Sequence, residues 1–392
     1  MKYLWRIFVI VMLGVKLWKH WQVWRYFRQP VPPSQRAPEL VSIMQPILSG
    51  DPTLEQSLRG NLQMQTRYPV EFVWLIDDND VGAQELCQRL AAEYPARQIK
   101  QVQAPPPPQG NPKMVKLIAG LEHVAGDVVC VLDDDTQLPD GGLEQCLPYL
   151  DQPNVGLAFG LPYYRSFDNL WSSLIALFVN NNSLLTYVPY LQISEPLTIN
   201  GMFYVIRRDL LAQLGDFQGL EDVLADDFAV AQYVREGGYK LKQTPIRHGI
   251  RTFVNDATHY RQLLQRWFIF PRESLLRHLS WREQGIIYTF HMLPALFPLA
   301  VVLWVFTRPS AASLAYAAAY FGHTIVSFAH INEAYLDEAT PKRLIVLVPL
   351  VESIFPLQLL VALLSPQRMT WRGHVIEVEH GGGFHFVRRR DE

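Results

Sequence analysis

The sequence predicts an α/β protein built on a mainly parallel sheet with helices on both faces, flanked at both ends by transmembrane or interfacial helices. Two observations predict this class. In the middle of the chain, short apolar runs typical of buried strands alternate with segments whose apolar residues recur every three or four positions. Outside that middle part lie long apolar stretches, and the mean hydropathy of the chain, +0.02, is high for a soluble enzyme.

The composition of the 392 residues excludes several classes of protein. With 49% apolar and 18% charged residues, the chain is too apolar for a disordered protein. Lysine and arginine (35) nearly balance aspartate and glutamate (37) without a basic block, which argues against nucleic acid as a partner. Cys87, Cys130 and Cys146 lack metal-ligand spacing and are odd in number, so we expect reduced thiols facing the cytoplasm.

Residues 1–38 are predicted to form a membrane anchor with a basic flank. The stretch Tyr3–Trp18 is apolar except for Arg6 and Lys16, and basic and aromatic residues follow it. The alternatives are a buried core helix and a helix that lies in the headgroup plane. By the positive-inside rule, the basic flank predicts that the next segment, 39–257, is a cytoplasmic domain.

The segment 39–257 carries the predicted sheet. The predicted strands are VSIMQPIL, EFVWLIDD, DVVCVLDDD and VGLAFGLP, and the predicted helices are LEQSLRGNLQMQ, AQELCQRLAAEY and MVKLIAGLEHV. Ligands of such sheets bind beyond the carboxyl ends of the strands. Asp77 and Asp78 follow one of these strands, and Asp133–Asp135 follow another. Because like charges crowd there, we expect a divalent cation, with acids that form turns or cap helices as the alternative.

Three segments make up the rest of the chain. Residues 258–284 mix aromatic side chains with arginines, which predicts interfacial helices. Residues 285–365 contain long apolar stretches and are predicted to cross the membrane. Residues 366–392 are predicted to form a basic tail that includes three consecutive arginines.

The number of crossings is an open point in the sequence. The apolar stretches of the C-terminal half are Ile286–Phe306, Ala311–Ala329 and Leu344–Leu364. Three crossings here would leave the basic tail outside, against the positive-inside rule, so one stretch is expected to be re-entrant or the count is wrong. Pro349, Glu352 and Pro356 make the last stretch the first candidate.

An ordered series of motifs resembles a known family. VSIMQPIL, LIDDND, GNPK, LDDDT, GMFYVIRRDLL, ADDF and QRW follow one another over roughly residues 41–267. Together they resemble the inverting GT-A glycosyltransferases, in particular the membrane-bound ceramide glucosyltransferase-like group. The resemblance implies a Rossmann-like GT-A catalytic domain, and the flanking membrane segments agree with the layout of that group.

The resemblance also implies roles for individual residues. The residues that match donor-binding positions are Pro46, Asp77, Asp78, Lys113, Asp134, Arg266 and Trp267. Asp133 and Asp135 match the DxD motif, which holds Mg²⁺ or Mn²⁺ between the protein and the diphosphate of the donor. The residues that match the catalytic positions are Asp227, as the general base, and Asp226. An ordinary surface lysine is the alternative for Lys113, and a helix N-cap is the alternative for Asp227.

The chain departs from the family pattern at two positions. Leu263 stands where the motif that ends in Arg266 and Trp267 has Gln or Arg, which weakens a cellulose- or chitin-synthase interpretation. Asp226 stands where Glu is usual, so the identity of the base between Asp226 and Asp227 is left open.

Two further segments are expected to border the site. The interrupted apolar segment 159–191 is predicted to form a wall at the membrane surface that admits a lipid headgroup, with ordinary core packing as the alternative. The proline run 105–109 is predicted to be a stiff, mobile loop over the donor.

These observations predict an integral, multi-pass membrane enzyme with a cytoplasmic catalytic domain. By resemblance it transfers a hexose, with glucose the expected sugar, from a UDP-sugar to the hydroxyl of a membrane lipid with inversion. The lipid acceptor is ceramide-like, a diacylglycerol or a hopanoid-type lipid. The expected partners are the donor, the lipid and the bilayer, and not nucleic acid. The alternatives are a processive polysaccharide synthase and a non-catalytic membrane scaffold that retains the fold.

Overall fold

The structure is a computed structural model that describes residues 2–270, 273, 276–371, 373–379 and 382–390. The strands in these residues are β1 (Val41–Ile47), β2 (Val70–Asp77), β3 (Gln98–Ala104), β4 (Val128–Leu132), β5 (Thr136–Gln137), β6 (Val155–Tyr164), β7 (Phe203–Arg207), β8 (Lys240–Ile250), β9 (Arg368–Trp371), β10 (His374–Val378) and β11 (Phe384–Arg388). The helices are α1 (Lys2–Phe27), α2 (Leu54–Gln63), α3 (Val81–Glu93), α4 (Pro112–Gly120), α5 (Leu170–Tyr190), α6 (Arg208–Leu214), α7 (Asp226–Glu236), α8 (Ala257–Phe270), α9 (Leu276–His278), α10 (Trp281–Ile287), α11 (Leu293–Ala295), α12 (Phe297–Thr307), α13 (Ala311–Tyr335) and α14 (Val348–Leu364).

Eight strands form one mixed sheet in the order β3-β2-β1-β4-β7-β6-β8-β5. β1 pairs in parallel with β2 and β4, β2 pairs in parallel with β3, and β6 pairs in parallel with β8. β7 runs antiparallel between β4 and β6, so the sheet is mostly rather than wholly parallel. The predicted α/β class is therefore confirmed, and the four predicted strands are β1, β2, β4 and β6.

Helices cover both faces of the sheet because successive side chains of a strand point to opposite faces. In β1, Ile43 packs with Leu58 of α2 and Leu90 of α3 on one face. Its neighbour Met44 packs with Met114 of α4 on the other. The three predicted helices are α2, α3 and α4, and this packing places the carboxyl ends of β1, β2 and β4 side by side.

The long N- and C-terminal helices form a second helical layer. α1 contacts α5, and α14 contacts α5, α12 and α13. The core that they share with the sheet includes Leu161 of β6, Leu177 of α5, Phe328 of α13 and Val351 of α14. The segment 159–191 therefore ends β6 and then forms α5, which joins the sheet to this layer.

An ion pair between α1 and α14 explains two charged residues inside apolar stretches. Lys16 Nζ lies 2.9 Å from a carboxylate oxygen of Glu352, and Asn181 of α5 donates a hydrogen bond to the same carboxylate at 2.9 Å. Lys16 also donates to the hydroxyl of Thr324 on α13. Each charge is thereby compensated within the layer, as apolar surroundings require.

The number of helices that can cross a membrane is smaller than predicted. In the part of the chain that the structure describes, Lys342–Leu364 is the one unbroken helical segment that is long and apolar enough to span a bilayer. Trp281–Ala295 and Phe297–Thr307 would form a second span only as a pair bent by 41°. The predicted multi-pass topology is not supported.

The physical reason differs between the segments. Basic side chains interrupt α1, and small and polar side chains interrupt α13, so neither is apolar enough to count as a span. Leu344–Leu364, the first candidate for a re-entrant segment, is instead the main part of the spanning candidate. Its glutamate has a partner, and its internal proline is accommodated within α14.

The segment 366–392, predicted as a basic tail, contains the second sheet. β10 pairs antiparallel with β9 and β11. Met369 and Trp371 of β9 pack with Ile269 of α8 and with Leu224, which precedes α7. This C-terminal sheet is therefore held against the helix that carries the QRW motif and against the loop before the ADDF motif.

All three cysteines are free and buried. Cys87 lies in α3, Cys130 in β4, and Cys146 lies beneath the sheet in the same core. Burial raises the pKa of the Cys87 and Cys146 thiols to about 12. The reactive thiolate form is therefore suppressed at neutral pH.

Candidate functional site

One cavity of about 860 Å³ lies at the carboxyl ends of β1, β2 and β4 and extends to α5, α8 and α14. The predicted site residues that line it are Pro46, Asp77, Lys113, Asp133, Asp226, Asp227, Arg266 and Trp267. Asp78, Asp134 and Asp135 do not belong to its lining. The cavity is therefore the common place to which the distant motifs of the sequence converge.

Lys113 is the charged centre of the polar part of the cavity. It follows Pro112 at the start of α4, whose N-cap Asn111 accepts hydrogen bonds from the backbone N–H of Lys113. Its Nζ lies 2.8 Å from Asp133 Oδ1, 2.8 Å from Asp226 Oδ2 and 2.8 Å from the carbonyl oxygen of Gly201. Burial alone would lower the pKa of Lys113, but the two carboxylates outweigh it and raise that pKa above the usual range.

Asp227 lies beside this ion-pair network in the first turn of α7. Ala225 is the N-cap of that helix, so the predicted alternative of Asp227 as the N-cap is wrong by two positions. Removal from water, and then the charge of Asp226, raise the pKa of Asp227 to about 6. Tyr187 of α5 is close enough that burial and the charge of Asp227 raise its pKa to about 12.

Gly201 holds Lys113 and Asp227 in their relative positions. A β-carbon built on Gly201 would lie 2.9 Å from the β-carbon of Asp227, closer than real side chains pack. Glycine therefore lets the backbone of the segment before β7 approach the start of α7, and the carbonyl group of Gly201 accepts a hydrogen bond from Lys113.

The three acids after β4 have different surroundings. Asp133 lines the cavity. Asp134 is buried and accepts a hydrogen bond from the backbone N–H of Leu48 at 2.9 Å, which fixes the chain after β1. Asp135 accepts hydrogen bonds from the hydroxyls of Thr252 at 3.1 Å and Thr136 at 3.0 Å.

The ends of β1 and β2 form one wall of the cavity. Asp77 Oδ2 lies 2.9 Å from Nζ of Lys116, which also donates to the carbonyl of Ile47 at 3.0 Å. The other carboxylate oxygen of Asp77, Oδ1, is buried and has no hydrogen-bond partner in the described part of the chain. Asp78 is exposed and is not part of the lining. Lys116 was not predicted as a site residue, although its position three residues after Lys113 places both on one face of α4.

Arg266 and Trp267 enter the cavity from α8. The Trp267 ring packs edge-on against Tyr164 at 6.2 Å and stacks near Phe178 at 6.3 Å, measured between ring centroids. Leu263, the departure from the family motif, is buried in the core between α8 and the sheet. A polar residue at that position would face an apolar core rather than the cavity, so leucine fits the local packing.

Two arginines directly after β11 belong to the site, although the sequence did not predict them. Arg389 and Arg390 line the cavity. Arg389 donates hydrogen bonds to the carbonyl groups of Pro107, at 2.7 Å, and Pro108. Arg390 lies against Gly50 in the loop after β1, with Nη2 3.4 Å from where a β-carbon would stand. The proline run 105–109 and the C-terminal sheet therefore meet over the ends of β1 and β2.

The far end of the cavity is apolar. Phe178 of α5, Phe268 of α8, Met292, and Leu359 and Leu363 of α14 line it. α14 belongs to the segment long enough to span a bilayer, so the cavity extends from the charged sheet edge to the flank of a membrane-type helix. Such a surface is suited to a ligand with one polar and one apolar end.

The carboxylate ligands at the cavity wall fit a divalent cation that is also held by the phosphates of a substrate. Among the described residues, no group of three or more His, Cys, Asp or Glu side chains is arranged to hold a metal by itself. Mg²⁺ is commonly held by one or two carboxylates together with substrate phosphates, and Asp133 offers a hard oxygen donor at the cavity wall. Asp135, the second carboxylate of the motif, lies outside this lining and accepts hydrogen bonds from the hydroxyls of Thr136 and Thr252.

Comparison with known proteins decides the family. The model of glycosyl transferase family 21 matches residues 4–384, nearly the whole chain. The chain belongs to glycosyl transferase family 21. This family 21 chain is therefore a glycosyltransferase, and its match includes the terminal helices and most of the C-terminal sheet.

Solved structures that resemble the family 21 chain include two glycosyltransferases. One is the mannosyltransferase PcManGT from Pyrobaculum calidifontis in complex with GDP-Man and Mn²⁺, with 19% identity over 89% of this chain and 98% of that chain and a TM-score of 0.47. The other is GalNAc-T7 with UDP, GalNAc and Mn²⁺, with 13% identity over 64% of this chain and 54% of that chain and a TM-score of 0.43. Similarity at this level carries no functional argument.

Proposed function

We propose that this glycosyltransferase, with a GT-A catalytic domain, transfers a hexose from a UDP-sugar to the hydroxyl of a membrane lipid with inversion of the anomeric centre. One observation carries the proposal. A single cavity joins the charged cluster of Lys113, Asp133 and Asp227 to the apolar side chains of α14. A nucleotide sugar matches the first end and a lipid matches the second.

The ends of β1 and β2 suit the nucleoside of the donor. The buried Oδ1 of Asp77 lacks a partner among the described residues, and an imide N–H of uracil would satisfy it. Pro46 lies beside it in the cavity wall and offers an apolar surface to the base. Arg389 and Arg390 add positive charge at the same end, where a diphosphate needs it.

Lys113 supports the assignment of Asp227 rather than Asp226 as the general base. Asp226 pairs with Lys113 at 2.8 Å, so its carboxylate is engaged by a fixed positive charge rather than left open to an acceptor hydroxyl. Asp227 has a pKa raised to about 6, close to the working pH of a general base. With one base and no second carboxylate assigned as a nucleophile, the acceptor oxygen would displace the diphosphate in one step, which inverts the anomeric carbon.

A divalent cation, Mg²⁺ or Mn²⁺, would be held by Asp133 and Asp135 together with the diphosphate. When bound, it supplies charge compensation for the leaving group. Lys113 contributes fixed positive charge at the same wall, and Arg266 enters from the opposite side.

The lipid acceptor would lie along α14, with its hydroxyl near Asp227 and its chains against Leu359 and Leu363. This arrangement places the segment Lys342–Leu364 in the membrane and the sheet at its cytoplasmic surface. The terminal helices would then lie in or on the bilayer beside α14.

The test is a labelling experiment with the purified full chain in detergent, Mg²⁺ or Mn²⁺, a panel of radiolabelled UDP-sugars and a total lipid extract. We expect label to move into the organic phase with one UDP-sugar. Asp227→Asn should lower the rate about 10²–10⁴-fold. The matched control is Asp209→Asn, because Asp209 is 66% exposed and lies outside the cavity.

The product distinguishes the proposal from its alternatives. A lipid that carries one added sugar supports a lipid glycosyltransferase, whereas a polymer that lengthens with time identifies a polysaccharide synthase. Equal labelling by wild type and Asp227→Asn, or no labelling by any UDP-sugar, would contradict the proposal.

A further inference from the structure

A second, smaller cavity lies inside the helical layer. It measures about 250 Å³ and is enclosed by α1, α5, α13, α14 and the segment around Met292. Phe178, Asn182, Thr186 and Met292 line both this cavity and the large one, so the two are neighbours. Its volume is below the ~300 Å³ at which ligand pockets for whole small molecules begin, so it suits a headgroup rather than a nucleotide sugar.

The charges in this cavity do not balance. Lys16, Lys19 and Glu352 line it, which gives two ammonium groups and one carboxylate. Lys16 is paired with Glu352 at 2.9 Å. No described carboxylate oxygen lies within 4.0 Å of the Lys19 ammonium group. One positive charge in apolar surroundings is thus left without a counter-ion, a situation that marks functional sites among membrane-type helices.

Two histidines carry unsatisfied nitrogen atoms beside Lys19. The Nδ1 atoms of His20 and His291 are buried and have no hydrogen-bond partner among the described residues. Both histidines line the cavity. Buried polar atoms without partners are rare in folded proteins, and a cluster of them indicates a group that binds from outside.

We propose that this cavity binds a phosphate group, with Lys19, His20 and His291 as its ligands. A phosphate supplies the missing negative charge and several acceptor oxygens for the ammonium and imidazole donors. Val15, Leu185, Phe297 and Phe355 surround the polar groups with apolar surface, which suits the glycerol and first methylenes of an anionic phospholipid. Free inorganic phosphate shares the same chemistry, and the experiment separates the two sources.

The experiment uses the purified full chain in detergent. Native mass spectrometry compares the retention of phosphatidylglycerol with that of phosphatidylcholine of identical acyl chains, whose choline cation cancels the charge of its phosphate and would face Lys19. Thermal unfolding is followed with inorganic phosphate and with chloride at equal ionic strength. We expect about tenfold stronger retention of phosphatidylglycerol than of phosphatidylcholine, a difference of the size that one charge-assisted contact supplies. A phosphatidylglycerol preference supports the lipid source, and stabilisation by inorganic phosphate without it supports the free ion.

Variants of Lys19 connect either result to this cavity. Lys19→Gln should remove the preference and Lys19→Arg should keep it, so a loss in the first variant is not a general loss of folding. The matched control is Lys342→Gln, because Lys342 is 81% exposed and lies at the start of the spanning segment, away from the cavity. The proposal would be overturned if both lipids were retained equally and inorganic phosphate did not stabilise the protein. It would also be overturned if Lys19→Gln left the stabilisation by phosphate intact.

Discussion

Asp226 and Asp227 are adjacent in the chain yet differ in their surroundings. Lys113 contacts the carboxylate of Asp226, while Asp227 lies in a part of the cavity wall where burial and the charge of Asp226 favour its neutral form. The two acids therefore differ in their electrostatic partners without any difference in side-chain type. This contrast supports our proposal that Asp227 is the base, a choice that the sequence left open.

The raised pKa predicts the pH dependence of the rate. A general base works only when it is deprotonated, so kcat/KM should be constant well above pH 6 and fall about tenfold per pH unit below it. Because the charge of Asp226 contributes to the raised pKa, Asp226→Asn should move this acid limb to lower pH. The measurement is a pH–rate profile of both proteins, and an unmoved limb would contradict the assignment.

Gly201 gives a second prediction at this scale. The methyl group in Gly201→Ala would meet the β-carbon of Asp227 at 2.9 Å, so the start of α7 must shift. We expect kcat to fall at least tenfold while the affinity for UDP changes little, because the nucleoside end of the cavity is untouched. Gly285→Ala is the matched control, since no atom lies within 4 Å of the added carbon there. Equal kcat in both variants would argue against a positioning role.

The sequence located some of these residues and not others for a physical reason. Asp133 and Lys113 follow or begin regular elements, so their place at the sheet edge can be inferred from the strand pattern. Asp78 neighbours Asp77, and Asp134 neighbours Asp133, but neither lines the cavity. Asp78 lies in a turn and is exposed to solvent, and Asp134 accepts a hydrogen bond from the backbone N–H of Leu48. Side-chain direction within a loop depends on such contacts, which no spacing rule contains.

At the scale of elements, the residues that follow the C-terminal sheet border the end of the cavity that we propose for the donor. Arg390→Gln should weaken the binding of UDP about three- to tenfold, because a charged contact to a diphosphate is lost. Arg388→Gln is the matched control, because Arg388 is exposed on β11 and outside the lining. Titration calorimetry of the full chain with UDP and Mg²⁺ measures the affinity of both variants. Equal affinities would contradict a role of Arg390 in donor binding.

This sheet was not predictable because its strands are short. β9 and β10 contain four and five residues, and they are separated from the first sheet by the whole helical layer. Their position depends on long-range packing against Ile269 and Leu224, which appears in no local pattern. β3 was missed for a similar reason, since its exposed and half-buried side chains contain little apolar surface.

At the scale of the whole molecule, the main cavity connects the sheet edge to α14, and this gives a prediction about the acceptor. Leu359→Trp should narrow the apolar end and raise KM for the lipid acceptor at least tenfold while leaving UDP affinity unchanged. Leu360→Trp is the matched control, because Leu360 is 54% exposed on the same helix and outside the lining. Steady-state rates at varied lipid concentration give the KM of both variants. Equal KM values would contradict a role of α14 in acceptor binding.

The architecture was predictable where periodic patterns are strong. The apolar runs of β1, β2, β4 and β6 and the helical spacing of α2, α3 and α4 give the sheet and its active edge. The membrane topology was not predictable, because the length of an apolar stretch alone does not distinguish a helix that crosses the membrane from one packed within a helical layer. The Lys16–Glu352 pair shows why, since each charge has a protein partner that the sequence does not reveal.

The burial of all three thiols has a practical consequence. Maleimide and spin-label reagents need an accessible thiolate, so we expect them to react very little with the native cysteines. A single cysteine introduced at an exposed position of the sheet domain, such as Val81 on α3, would then carry the only readily labelled group in the described part of the chain. Distance and fluorescence measurements on the working enzyme in a bilayer thus require no prior removal of the natural cysteines.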